Sequence, residues 1–517
     1  MTDNIKESKS QANKRIAKNT LILYVRMFIM TIIGLYTSRV VLQVLGVEDY
    51  GIYNAVGGFV AMFSLLSGTL TNSINRFLTF ELGKGNSPKL KRVFATSLNV
   101  MMMLSALILI VGATIGLWFL NSQMNIPDGR MEAANVVLAC SVATFITNLL
   151  SVPYNAAIVA HEKMSAFAYI SLVEITAKLL IVYALYIIPA DKLAAYAILL
   201  FILQLLVRLL YGIYCKRHFE ECVYHFVFDK PLLKQMTSFA GWNFLAGSAG
   251  LINNYGVNVM MNIFFGVVVN AARGIATNVN SHVHMFVTNF MMAVNPQITK
   301  SYAQGDFNFM HSLICRGAKF SYFLMLIFLI PICLETNQLL RLWLGIVPDY
   351  AVIFVQLTLA MTTLNTLSGS LITGLHATGN IKKYMIIVGS VEILNFPVTY
   401  LAFRLGSSPQ TAYYIYLTFY FILMLLRLYL IKDLIHMKAS TYIKSVYLKA
   451  LQVSIIAAII PVTLRLLMTQ ETISRFIIIC IVSIASTLAT ICYVGLDKEE
   501  RALALKIINQ KILHKAG

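Results

Sequence analysis

Acidic side chains are scarce in this chain of 517 residues: 22 Asp and Glu stand against 41 Lys and Arg, and the four types together make up only 12% of it. So few charges cannot solvate a soluble protein of this length, and 58% hydrophobic content makes the bilayer the solvent for most of the chain. The net charge of +19 would suggest a nucleic-acid partner in a soluble domain. Here the basic residues fall mainly in short loops, where they orient a membrane protein, and no nucleic-acid role is assigned. Cysteine is sparse and scattered (Cys140, Cys215, Cys222, Cys315, Cys333, Cys480 and Cys492), with no Cys-x-x-Cys and no His cluster at ligand spacing. Neither a disulfide framework nor a metal site is expected. The chain has no phosphate loop and no nucleotide fingerprint, so ATP hydrolysis is not expected, nor is any cofactor.

What is present is a succession of apolar runs. About fourteen are long enough to span: 19–44, 52–82, 93–120, 134–160, 167–189, 193–215, 237–265, 271–299, 312–336, 350–376, 384–405, 411–432, 447–468 and 474–496. The seventh and eighth are polar enough that a hydropathy window could miss them. The N-terminal 18 residues are basic and lead into a run too long for a signal-peptide core, which predicts that the first helix stays in the mature protein. Counting from a cytoplasmic N-terminus, the tail, the even-numbered loops and the C-terminus hold well over half of the 41 Lys and Arg. That alternation predicts both termini in the cytoplasm. No connector exceeds about 22 residues, which leaves no room for a soluble catalytic domain, and a transporter is expected rather than an enzyme. The connector 216–236 is the natural boundary between two halves.

The first run carries the chain's most unusual feature, Arg26 and Arg39 inside a spanning segment. An arginine near the centre of a spanning helix costs about 2.5–3.5 kcal/mol, so such residues usually face a bundle interior or a wet cavity. Snorkelling to a headgroup is the alternative, above all for Arg39.

The stretches GLYTSRVVLQVLGVEDYGIYNAVGG (34–58), RFLTFELGKGN (76–86), FFGVVVNAARGIATNVN (264–280) and NPQITKSYAQGD (295–306) resemble the bacterial oligosaccharide flippases of surface-polysaccharide pathways. These belong to the multidrug, oligosaccharide-lipid and polysaccharide exporter superfamily. The resemblance covers roughly residues 15–435. It implies an all-α polytopic fold with an N-lobe at 19–215, a linker at 216–236, a C-lobe at 237–432, each lobe of six helices, and two appended helices within 433–496. It also implies a polyprenyl-diphosphate-linked oligosaccharide as cargo, carried to the outer leaflet of the bacterial inner membrane for O-antigen-like or capsule-like glycan. Membrane lipids, a polysaccharide polymerase and glycosyltransferases would be its partners. A cation-coupled exporter of drugs or metabolites with the same fold is the alternative; it calls for acidic residues in the cavity, whereas the buried charges read from the sequence are mainly Arg. An embedded glycosyltransferase or polymerase would want a carboxylate-bearing outer loop, and the outer acids here lie in short loops.

Such cargo would suit the arginines, since guanidinium stays charged and binds phosphate bidentately. Arg26 and Arg76 lie at similar depth from the cytoplasmic end, and Arg39 and Arg273 lie nearer the outer end, which predicts a low and a high anion site. Amide stripes would line the sugar path: Asn254, Asn258 and Asn262, with Asn243, on the seventh helix; Asn278, His282 and Asn289 on the eighth; Thr69, Asn72 and Asn75 on the second. Interhelical packing is the competing use of each. Glu174 and Lys178, four apart, are expected to pair, either structurally or for ion coupling. The segment 497–517 reads as an amphipathic helix on an anionic inner leaflet.

Overall fold

The computed structural model describes residues 2–502 except 62, 123, 125, 226–228 and 499. The amphipathic-tail expectation therefore lies outside the described residues beyond 502. The described residues are helical throughout, without a strand: α1 (Thr2–Ala61), α2 (Ser64–Lys84), α3 (Ser87–Ser122), α4 (Met131–Ala160), α5 (Met164–Ala184), α6 (Lys192–His218), α7 (Lys230–Phe265), α8 (Val267–Ala303), α9 (Phe307–Leu344), α10 (Ala351–Thr378), α11 (Lys382–Arg404), α12 (Thr411–Ile431), α13 (Ala439–Leu467) and α14 (Ile473–Gly495). Eleven are long and apolar enough to cross a membrane. The other three, α2, α7 and α8, have 21, 36 and 37 residues and so the length to span. These three fall short of the hydropathy of the other spans, as expected for the seventh and eighth. An all-helical multi-pass membrane protein is the result, since only closed backbone hydrogen bonding tolerates lipid.

Local chemistry sets the helix ends. Gly46 breaks α1 with φ 80° and ψ 170°, a backbone state that L side chains rarely adopt. Gly266 repeats the device between α7 and α8 with φ 81°, in the similar context Phe265-Gly266-Val267 against Leu45-Gly46-Val47. Gly85 after α2 and Gly305 after α8 are likewise left-handed, at φ 68° and 75°. After α4 and α10 the left-handed positions are Glu162 and Gly379. The turns thus recur at matching places in the two halves, an internal repeat that side-chain identity alone hides. Asn86 caps α3 by accepting from the Lys89 amide at 3.1 Å, and Asp191 caps α6 through the Ala194 amide at 2.9 Å.

The chain forms two compact units: one up to Gly247 together with Met292–Asp306, the other Ser248–Met291 with the chain from Phe307 on. In the first, Val40, Val41, Val44 and Leu45 of α1 pack on Val182 and Leu185 at the end of α5 and on Tyr196 of α6. In the second, Val257, Met261, Ala272 and Ala276 meet Phe354, Val355, Leu359 and Tyr413. Close packing of small and branched side chains holds such cores, because lipid gives apolar burial little driving force. Of the appended helices, α13 is tied to α9 by Tyr322 and Ser454 at 2.8 Å, and α14 to α13 by Ser486, which donates to the Ala457 carbonyl at 2.9 Å.

Candidate functional site

A polar pocket of about 340 Å³ lies within the second unit, walled by α7, α8, α10, α11 and α12. Arg273 enters it from the first turns of α8 and is buried. Its Nη2 donates to the Asn254 carbonyl at 3.0 Å and to Asn254 Oδ1 at 2.9 Å, and its guanidinium stands 6.0 Å from the Tyr413 ring centroid. Opposite in charge is Glu392 of α11. Arg427 Nη2 donates to Glu392 Oε1 at 2.9 Å and its Nη1 to Asn365 Oδ1 at 2.7 Å. Asn253 Nδ2 donates to the Glu392 backbone carbonyl. Tyr413, Tyr416, Phe419 and Tyr420 of α12 form an aromatic wall, with Tyr416 and Tyr420 stacked at 6.3 Å. Thr277, Asn280, Thr358 and Asn395 add hydroxyls and amides.

Glu392 and Arg427 cancel, so Arg273 leaves one positive charge in excess. Pairing is what makes the carboxylate tolerable at this depth. The arrangement can bind hydroxyl-rich or anionic groups, and a proton or cation on Glu392 would free Arg427 and change the wall's charge by one.

Two sequence-predicted residues, Arg273 and Asn254, come together here. Asn258 is half-buried one turn along α7, and Asn278 and His282 are exposed on α8, where Asn280 lines the pocket instead. The expectation that buried charge is mainly Arg needs correction: Glu81, Glu162, Glu335, Glu392 and Glu500 are carboxylates in protected surroundings, each ion-paired. Glu392 and Arg427 carried no spacing signal, being 35 residues apart on different helices. The signal available was the lone Glu in the apolar run SVEILNFPV.

In the first unit, Arg26 lies over the Phe167 ring at 4.5 Å, with Tyr211 and Glu174 as electrostatic neighbours. Lys178 Nζ donates to Glu174 Oε1 at 2.6 Å, the i,i+4 pair the spacing predicts. Arg26, Glu174 and Lys178 thus gather on the α1–α5 face with one positive charge in excess. Arg76 has a different setting, over Phe77, Phe80 and Phe239 at 4.5, 4.9 and 5.7 Å. Arg39 and Asn72 are exposed. Among the described residues no group of three or more His, Cys, Asp or Glu could hold a metal.

Residues 254–401 match the family model described as MatE, a stretch that contains Asn254, Arg273 and Glu392. Some 80–84% of the chain is similar to solved structures of that fold. One is an outward-facing multidrug resistance MATE family transporter of the MOP superfamily, 14% identical, with TM-score 0.67, covering 84% of this chain and 97% of that one. Another is the MATE transporter ClbM in complex with Rb⁺, at 12% identity and TM-score 0.66, covering 80% and 94%. A third is a MOP superfamily transporter from Pyrococcus furiosus whose title reports reverse polarity of its binding pocket, at 15% identity and TM-score 0.63, covering 82% and 96%. No curated protein sequence matches the chain. At these identities the likeness establishes a MATE-like fold.

Proposed function

We propose that this chain, with its MATE-like fold, is a secondary transporter that exports small polar solutes by alternating access, driven by an ion gradient. The observation that carries the reading is the Glu392–Arg427 pair beside Arg273 in the pocket wall. A coupled cycle needs a ligand with different affinity for two states. A proton or cation arriving at Glu392 supplies that difference, because it releases Arg427 and alters the charge felt by cargo in the same pocket. The match of residues 254–401 to the MatE model supports the same assignment.

A second reading, the lipid-linked oligosaccharide flippase, is favoured by the excess charge at Arg273 and by the aromatic, amide and hydroxyl lining. Guanidinium suits a diphosphate, and rings with amides suit sugars. Under this reading Arg26, Arg39 and Arg76 are further stations for the diphosphate, the membrane is the bacterial inner one with both termini cytoplasmic, and a polymerase acts on the product.

The test uses full-length protein in proteoliposomes under an imposed pH or Na⁺ gradient. Efflux of a fluorescent cationic dye is followed beside flipping of a fluorophore-bearing short-chain polyprenyl-diphosphate saccharide. Gradient-driven dye movement that is lost in Glu392→Gln supports the exporter. Saccharide flipping lost in Arg273→Gln, without dye movement, supports the flippase. Folded protein that moves neither overturns both.

A further inference from the structure

A second cavity, of about 720 Å³, lies in the second unit where α9 begins, the α12–α13 turn crosses and the chain leaves α14. Its floor is a closed ion network. Lys319, 2% exposed, donates to Glu500 Oε2 at 2.6 Å and to Asp497 Oδ2 at 3.1 Å, and Arg316 Nε stands 3.3 Å from Glu500 Oε1. Two cations meet two carboxylates there, so their charges balance.

The described rim is basic. Lys438 and Lys498 are exposed and line the same cavity, and neither has a carboxylate partner among the described residues. The hydroxyl-bearing Ser312, Thr441 and Ser445 line the cavity as well. His436 completes the mouth in a left-handed backbone state, φ 55°, which a histidine adopts only at a cost. Its ring meets Phe307 edge-on at 5.3 Å. The turn that carries it is braced: His311 Nε2 donates to the Ile435 carbonyl at 2.8 Å, and the Met437 amide to the Lys432 carbonyl at 2.8 Å. A strained residue that persists is over-determined by its surroundings, and such strain gathers at ligand clamps. Glycine would fit this backbone at less cost.

A concave wall with two lysines that have no carboxylate partner among the described residues, a histidine, three hydroxyls and a neutralised floor suits a compact anion with several acceptor oxygens. Carboxylates offer two such oxygens and a terminal phosphate three, and charge-assisted donors make the phosphate the better match. We infer that this cavity is a phosphate-group site, separate from the polar pocket, which takes either the headgroup of an anionic phospholipid or a soluble phosphorylated compound.

The full chain in detergent with neutral lipid is titrated with inorganic pyrophosphate and, separately, with phosphatidylglycerol against phosphatidylcholine. Thermal midpoint and native mass spectrometry of adducts are the readouts. Lys438→Glu with Lys498→Glu, both at exposed positions, is the comparison, and His436→Gly is a second variant that relieves backbone strain while removing the ring. Binding weakened about tenfold or more in the double variant and measurably in His436→Gly is expected, since two charge-assisted contacts are removed. A response to phosphatidylglycerol alone assigns the site to the lipid headgroup; a response to pyrophosphate as well assigns it to soluble phosphate compounds. No response in wild type, or one that the double variant retains in full, overturns the proposal.

Discussion

Replacing Glu162 should weaken the first unit even when the replacement suits the backbone better. Glu162 follows α4 in a left-handed state, φ 59°, at the place where the second half of the chain has Gly379. A non-glycine residue there costs about 1–2 kcal/mol, which glycine would save. Against that stands the side chain, 1% exposed, whose Oε1 accepts from Lys300 Nζ at 2.5 Å and Oε2 from Gln297 Nε2 at 2.5 Å, with Arg15 Nη1 3.6 Å away. The Glu162 carbonyl also accepts from Asn19 Nδ2 at 3.0 Å, so one residue ties α1 near Asn19, the turn after α4 and the last turns of α8. Breaking a buried pair costs about 3–5 kcal/mol. Lys300 is 16% exposed, which places the loss toward the lower end. Glu162→Gly should therefore destabilise by about 2 kcal/mol net, and Glu162→Gln, which keeps the strain, by about 3 kcal/mol. Chemical denaturation of the detergent-solubilised protein reads both, and a double-mutant cycle with Lys300→Met should give a coupling of about 2 kcal/mol. A Glu162→Gly protein as stable as wild type would refute the reasoning, because strain relief would then have outweighed the ion pair.

Gly46→Ala should cost about 1–2 kcal/mol, because φ 80° is closed to alanine, whereas Gly51→Ala, in helix with open space around it, should stabilise by about 0.5–1 kcal/mol; thermal midpoints of the two variants check the sign of each. The pH response has a definite direction too. Burial pulls the Asp191 carboxyl upward, but the Ala194 amide and Arg130 outweigh it and hold it below the ordinary 3.8. Burial likewise raises Glu221, and the hydrogen bond from His161 outweighs it, leaving it below 4.5. Both folded values are depressed, so their stabilisation is present above the ordinary carboxylate range and is lost as pH falls through the lower folded values. Thermal midpoints should fall below about pH 4, and less steeply in Arg130→Gln, which removes the partner of Asp191 and of Asp49.

Much of the fold could be read from the residues because hydropathy and charge act over whole segments. Among the described residues the fourteen runs fall on helices, eleven of which are long and apolar enough to cross a membrane, since a bilayer leaves an apolar run of 20 residues little other choice. The division of the second run could not be placed that way: α1 continues past Gly46 to Ala61, and α2 begins at Ser64. Glu174 and Lys178 were legible because their partnership is local, four residues along one helix. Glu392 with Arg427, Glu335 with Arg475 and Lys319 with Glu500 were not, since each joins helices far apart in sequence. Arg273 was visible as an arginine in an apolar run, yet its environment came from α7 and α12. Long-range pairing is set by topology, which no spacing rule encodes.

Two of those pairs look alike in distance and differ in what surrounds them, which on the proposed transport reading gives them different parts to play. Arg475 Nη2 lies 2.9 Å from Glu335 Oε2, and Arg427 Nη2 lies 2.9 Å from Glu392 Oε1. Glu335 is 1% exposed and sits at a non-helical point of α9 (φ −123°, ψ 28°), one turn after Pro331, where Arg475 and Arg465 reach it from α14 and α13. Glu392 is 23% exposed, to the polar pocket. A dry pair stripped of its carboxylate charge leaves an uncompensated cation, at about 3–5 kcal/mol; beside a wetted cavity, water compensates part of that and the loss falls to about 1–2 kcal/mol. Glu335→Gln should thus unfold at markedly lower denaturant while the molecules still folded transport normally. Glu392→Gln should keep most of its stability and lose the dependence of transport on the ion gradient. If the two variants lost stability equally and Glu392→Gln kept its gradient dependence, Glu392 would be one more structural brace, and the coupled ion would have to act elsewhere.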